Sequence, residues 1–269
     1  MYDNEHCMNT SDLTHGSALL GHTGFVGSNL ARSHRFDACY NSRNINDARG
    51  CSFDLVVCSA VSAVKWQANR DPGADWAKIQ SLLDALVTIK ARRFVLISTI
   101  DVYANPRSVD ERTDPSSAPN HAYGEHRARV ELFVRERFAV SHIIRLPGLF
   151  GAGLKKNIIF DLLHDNCLES INPESSFQYY DLGRLWTDLE KVIAEGLPLL
   201  NLATEPVKTS HILDRFFADK QVGAKAGALA SYDFRSQHAA LWGGANGYLY
   251  DAATVLDDLA RFITSERKA

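Results

Sequence analysis

Apolar residues gather in short runs along the chain: Ala18-Leu19-Leu20, Asp54-Leu55-Val56-Val57-Cys58, Arg93-Phe94-Val95-Leu96-Ile97, His142-Ile143-Ile144-Arg145-Leu146 and Leu199-Leu200-Asn201-Leu202. Short runs of branched side chains without polar alternation predict strands covered on both faces. Between them Trp76, Ile79, Leu83 and Leu86, then Val130, Phe133 and Val134, recur at helical spacing, each set giving one apolar stripe. Strand-helix alternation of this kind predicts an open parallel sheet with helices on both faces. About ten residues, 44–53, separate the second strand from the next strong one, the minimum for a complete crossover, so the third strand and its helix are expected to be a stub. A closing helix is predicted over 251–262, with Asp251 as N-cap and Val255, Leu256, Leu259 and Phe262 on one face. Residues 1–16 read as a flexible leader.

Composition narrows the function. The chain has 269 residues and a formal net charge of -3, from 29 Lys+Arg against 32 Asp+Glu. That balance lacks the basic excess a nucleic-acid binder needs. No apolar run approaches the roughly 18 to 20 residues of a membrane span, and the polar N-terminus has no signal-peptide core, so a cytoplasmic protein without a membrane partner is expected. The five cysteines and ten histidines show no CxxC or HExxH spacing, so neither a disulfide framework nor a metal site is expected. Cys39 and Cys58, in apolar runs, are expected to be buried.

Three glycines follow the first strand directly and open a helix, in Gly21-His22-Thr23-Gly24-Phe25-Val26-Gly27. Gly21 permits the tight turn, Gly24 lets a pyrophosphate approach the backbone, and Gly27 lets helix and strand pack closely, while the helix N-terminus offers free N–H groups to the phosphates. Thr23, Phe25 and Val26 share that turn. A ribose-binding carboxylate would be expected at the end of the second strand. In Asp37-Ala38-Cys39-Tyr40-Asn41-Ser42-Arg43 the acid opens the strand instead, and Ser42 and Arg43 lie at its end. A hydroxyl and a guanidinium suit a 2'-phosphate, which favours NADP, with NAD the other candidate.

Two further stretches complete a pattern: Ser98-Thr99 at the end of a predicted strand, and Tyr123-Gly124-Glu125-His126-Arg127, a phenol and a cation one helical turn apart. With the glycine turn, and with Arg145-Leu146-Pro147-Gly148-Leu149-Phe150-Gly151 further on, the chain resembles the extended short-chain dehydrogenase/reductase family of nucleotide-sugar epimerases, dehydratases and reductases. The resemblance implies a Rossmann-type doubly wound parallel sheet, residues 17–150, and a small C-terminal α+β substrate cap, residues 151–269, of which about 181–203 return to the main sheet. It implies that Thr99 orients the substrate oxygen, that Tyr123 is the general acid/base and that Arg127 is the cation beside the phenol. It also places Ser59, Ala60, Tyr123, Arg127 and Pro147 at the cofactor. The family's usual residue at position 127 is lysine, and arginine offers a larger planar fork in its place. Glu131, four residues on, could equally hold Arg127 as a helical ion pair.

The implied activity is NADP(H)-dependent oxidoreduction, by a reductase or epimerase, of the carbonyl or alcohol of a sugar derivative or related small molecule. Where nucleotide-sugar members hold the nucleotide with asparagine and arginine, this chain has Gly148 and Glu174 or Ser175. Lys155, Lys156 and Asn157 are the alternative substrate ligands. The second reading is a catalytically weakened NAD(P)-binding regulator or scaffold of the same fold, prompted by Arg127. A homodimer through the Tyr123 helix is a family expectation.

Overall fold

The computed structural model describes residues 14–268. Strand β1 (Thr14–Leu20) enters the glycine turn and helix α1 (Phe25–Ser33), which is followed by the short β2 (Ala38–Tyr40) and a single 3-10 turn, Ile45–Ala48. Next come β3 (Ser52–Cys58), α2 (Lys65–Arg70), α3 (Pro72–Leu86), β4 (Lys90–Thr99), α4 (Ala122–Arg137), β5 (Ser141–Leu146) and β6 (Gly148–Phe150). The remainder holds α5 (Ile158–Leu163), β7 (Ser176–Phe177), β8 (Tyr179–Asp181), α6 (Leu185–Ala194), β9 (Leu199–Asn201), β10 (Val207–Lys208), α7 (Thr209–Phe216) and α8 (Ala252–Glu266).

Six strands form one parallel sheet in the order β2-β1-β3-β4-β5-β9. The strands read as unbroken apolar runs because both faces are covered. On β1, Leu19 packs with Leu30, Ile144 and Leu189 on one face, while Ala18 and Leu20 pack with Ile79, Leu86 and Val130 on the other. Each fully buried side chain of this size contributes about 1.5–3 kcal/mol. Strand order reverses between β1 and its neighbours β2 and β3, which opens a crevice at the C-terminal ends of the strands, where α/β sheets bind ligands.

The 3-10 turn is all the regular structure between β2 and β3, so β2 is the sheet edge. Two expectations are corrected here. Cys39 is exposed rather than buried, because no strand lies beyond β2 to cover it, whereas Cys58 on the central β3 is fully buried. Strand β1 also begins inside the 1–16 segment expected to be a leader, since Thr14 and His15 already pair with Ser52 and Phe53 of β3; residues 1–13 lie outside the described residues.

Beyond β5, β6 pairs with β8 and β7 with β10, over a third core that includes Phe150, Ile159, Ile212 and Phe262. Strand β9 joins the main sheet beside β5. Asp251 caps α8 by accepting from the Thr254 N–H at 2.8 Å, and Val255, Leu259 and Phe262 are buried on one face. No helix among the described residues is long and apolar enough to cross a membrane.

Candidate active site

The glycine turn is built as its spacing requires. Gly21 has φ +89°, and a Cβ there would come within 2.7 Å of the Ser59 and Ala60 backbone. A Cβ on Gly27 would lie 2.1 Å from the Gly21 carbonyl oxygen, so helix and turn can meet only without a side chain. Gly24, by contrast, is exposed, and a Cβ there would touch only that oxygen, at 3.4 Å. As N-cap of α1 it supplies no side chain, and the first turn contains no acid, so the N–H groups of Phe25 and Val26 have no local anionic partner. Such a terminus favours an anion. Thr23 is exposed beside it, and Ser59 donates from N and Oγ to the Leu20 carbonyl at 2.9 and 3.1 Å, which sets the β3–α2 loop against the turn. These residues fit a dinucleotide pyrophosphate.

Asp37 is committed elsewhere. Its Oδ2 accepts from Ser17 N and Oγ at 2.7 and 2.9 Å, and these bonds hold its carboxyl below the usual range. Ser42 and Arg43 are exposed in the turn after β2; Asn41 Oδ1 accepts from the Arg43 N–H at 2.8 Å, and the guanidinium has no partner among the described residues.

Thr99 is the last residue of β4, and its Oγ1 accepts from the Asp101 N–H at 3.2 Å. Tyr123 comes to it because α4 starts unusually close to this strand end. A Cβ on Gly124 would lie 2.2 Å from the Asp101 carbonyl, so only glycine allows the approach. Asn120 donates to the Asp101 and Val102 carbonyls at 2.9 Å each, Tyr123 N–H donates to Asn69 Oδ1 at 3.0 Å, and His121 Nδ1 caps the helix by accepting from Gly124 N–H at 3.0 Å. The Thr99 hydroxyl consequently sits close enough to the Tyr123 phenol to favour its ionised form.

Arg127 lies over the Tyr123 ring, its guanidinium carbon 3.9 Å from the centroid. It is 3% exposed and forms a fork on Asp75 of α3, with Nη1 to Oδ2 at 2.6 Å and Nη2 to Oδ1 at 3.0 Å. Nη2 also donates to the Ser62 carbonyl and Nη1 to the Tyr123 carbonyl, which leaves Nε buried without a partner. His126 Nδ1 lies 2.7 Å from the same Asp75 Oδ2. Burial works against the Asp75 carboxylate, but the bonds from Arg127 and His126 outweigh it and lower its pKa. The helical pairing of Arg127 with Glu131 is not formed. Glu131 turns instead to Arg145 of β5, at 2.9 Å from Nε to Oε1 and 2.5 Å from Nη2 to Oε2, and accepts from Ser98 Oγ at 2.6 Å. Arg145 wins because its fork and the carboxylate are both buried and match two bonds to two.

The net effect on Tyr123 is upward. Burial pushes its phenol above the ordinary value, Arg127 opposes this, and the charges of Asp101 and Asp75 add to the burial.

Neither a family model nor a curated protein matches the sequence. Solved structures do match the fold. A UDP-glucose 4-epimerase from Thermotoga maritima, solved with UDP-glucose, superposes with a TM-score of 0.70 at 14% identity, over 94% of this chain and 99% of that one. A dTDP-4-dehydrorhamnose reductase from Bacillus anthracis in complex with NADP gives 0.69 at 16% identity, over 94% and 99%. A dTDP-glucose 4,6-dehydratase from Streptomyces venezuelae with NAD bound gives 0.72 at 17% identity, over 94% and 97%. The chain shares the fold of these structures, a Rossmann-type α/β fold.

Within that fold the other expected residues fall unevenly. Lys156 reaches across to the β3–α2 loop and donates to the Ala63 carbonyl at 2.7 Å, and partial burial lowers its pKa. Lys155 is exposed. Asn157 serves local structure, accepting from the Phe160 N–H at 3.1 Å as N-cap of α5 and donating to the Leu149 carbonyl at 2.8 Å. Pro147 links β5 to β6, and Glu174 pairs with Lys208 at 2.7 Å. Both Nη atoms of Arg127 are engaged by the protein and its Nε is buried.

Four residues escaped the sequence reading. Lys65 Nζ lies 2.9 Å from Asp101 Oδ1, and the Asp101 charge adds to burial in raising the Tyr232 phenol, which places α2 and the 224–247 segment near the strand end that carries Thr99. Asp75 is the fourth. An acid in the first turn of a helix reads as a dipole partner, and no local signal ties it to an arginine 52 positions later.

Proposed function

We propose that the protein is an NADP(H)-dependent reductase acting on the carbonyl of a sugar derivative. The observation that carries the reading is the close approach of the α4 start, which bears Tyr123, to the C-terminal end of β4, which bears Thr99, joined to an open glycine turn through the loop that bears Ser59 and Ser62. NADPH, when bound, supplies the hydride to the substrate carbon. The chain's own part is to hold the substrate oxygen between Thr99 and Tyr123 and to deliver the phenolic proton as that oxygen gains charge. Burial raises the Tyr123 phenol, so the proton it would deliver is present at neutral pH. Lys156, an exposed ammonium with a backbone partner in the β3–α2 loop, is suited to an anionic group on the substrate.

The test is oxidation of NADPH by purified protein with a panel of keto-sugars, free and nucleotide-linked. Turnover of none of them, with tight NADPH binding, would replace this reading with the cofactor-binding regulator. The cofactor choice rests on Arg43. Arg43→Ala is expected to weaken NADPH by about 1.5–3 kcal/mol, the value of a charge-assisted phosphate contact, with NADH little affected. Equal losses in a fluorescence titration would remove NADP preference from the proposal.

A further inference from the structure

Arg127 and Asp75 form a pair that the reaction scheme does not use. The guanidinium carbon lies over the Tyr123 ring, 3.9 Å from its centroid, and the carboxylate grips its outer edge with two bonds of 2.6 and 3.0 Å. A lysine could not do both, since a point charge on a flexible stem neither stacks nor forks. The carboxylate comes from α3, near an N-terminus fixed by Pro72 in the first turn and by Asp71 accepting from the Ala74 N–H at 3.0 Å. The Ser62 carbonyl takes a third bond from the guanidinium. Arg127 is therefore held from three elements, and its charge on the phenol is opposed by a carboxylate inside the protein.

We propose that Asp75 is a positioning residue for the acid/base Tyr123: it fixes Arg127 against the phenol ring and opposes the guanidinium charge there. This deepens the reductase reading and rests on it for its functional meaning. The other groups facing Tyr123 are Thr99 and Asp101 from the end of β4, with Lys65 of α2 paired to Asp101 and Tyr232 near it, and His121 at 6.2 Å between ring centroids; His126 faces Asp75 from α4. Asp101 and Asp75 both disfavour the phenolate, whereas Arg127 and Thr99 favour it. Removal of the Asp75 charge leaves Arg127 less opposed, so the phenol should ionise at lower pH.

The experiment is an ultraviolet phenolate titration of the full chain, with each variant read against its own Tyr123→Phe counterpart so that only this phenol is counted. Asp75→Asn should lower the Tyr123 pKa by about one pH unit, the size expected for a unit charge removed at this range inside a protein. Arg127→Gln should raise it, and the double variant should return towards the wild-type value. A residue that only stabilises the fold would change the melting temperature and leave the titration where it was. If Asp75→Asn does not fold, the comparison of Arg127→Gln with the double variant isolates the same charge, and the double variant carries no unpaired buried ion. Identical titrations with and without Asp75 in either background would overturn the proposal. Neither substrate nor cofactor is needed, so an inactive protein that shows the shifts sinks the reductase reading alone, and an active one without them sinks this inference alone.

Discussion

Tyr123→Phe is expected to lower turnover of the keto-substrate by about 10²–10⁴-fold, the usual contribution of a positioned general acid, while NADPH affinity changes little. The substitution is well suited to isolating the proton. Phenylalanine keeps the ring face on which the Arg127 guanidinium rests, so the fork on Asp75 and the bond to the Ser62 carbonyl persist. What disappears is the hydroxyl facing Thr99. The effect should therefore fall on kcat, with the binding of cofactor, measured separately by titration, preserved. The pH profile of the wild-type protein carries the same argument. Burial raises the folded-state phenol pKa, so the donating form is fully present below that value and is lost as pH rises through it. In the reductive direction the rate should then be level through neutrality with respect to this group, and its alkaline fall should lie above the ordinary tyrosine value of 10.0. A Tyr123→Phe protein with near wild-type kcat, or an alkaline fall well below that value, would remove Tyr123 from the chemistry.

The part of the site visible in the sequence is the part set by neighbours along the chain. The glycine turn could be read because each glycine answers a local demand: a positive φ at Gly21, an open face at Gly24 and a close approach at Gly27. Strands β1, β3, β4 and β5 could be read because burial on both faces removes polar alternation. Helix α4 was only half legible. Its apolar stripe shows Val130 and Val134, but the face it buries near the active site is polar, carrying Tyr123, His126, Arg127 and Glu131. A stripe-based reading treats such residues as solvent-facing and offers Glu131 to Arg127 by helical spacing. The structure instead gives each a partner from another element, Asp75 from α3 and Arg145 from β5. Pairing of this kind depends on which elements the fold brings side by side, and a single chain's local pattern does not encode it. Cys39 was misplaced for a related reason, since its exposure follows from the missing neighbour strand and not from its own apolar run.

The largest loss of stability is expected from Glu131→Ala, at about 3–5 kcal/mol. Glu131 and Arg145 are 3% and 1% exposed, so deleting the carboxylate strands a guanidinium in the core with its counter-charge gone. Tyr103 offers Arg145 only a neutral hydroxyl, at 2.5 Å, and that hydroxyl is already donating to the Asp110 carbonyl at 2.6 Å. Ser98 Oγ loses its acceptor as well. Against a total of about 5–15 kcal/mol for a folded domain, this is a large fraction, and a melting temperature lower by about 10 °C is expected. The loss should reach function too, because Glu131 joins α4 to β4 and β5, the strands against which the Tyr123 end of that helix is registered. Replacing both partners, as Glu131→Met with Arg145→Met, removes the stranded charge and should recover most of the stability. It would not restore the two-point fork that sets the helix register, so activity should recover less than the melting temperature does. Denaturant unfolding of the single and double variants, read beside their NADPH oxidation rates, separates the two consequences. If the single variant is as stable as the wild type, the buried pair is not what holds α4 to the sheet, and if the double variant is as unstable as the single, the cost lies in packing and not in the stranded charge.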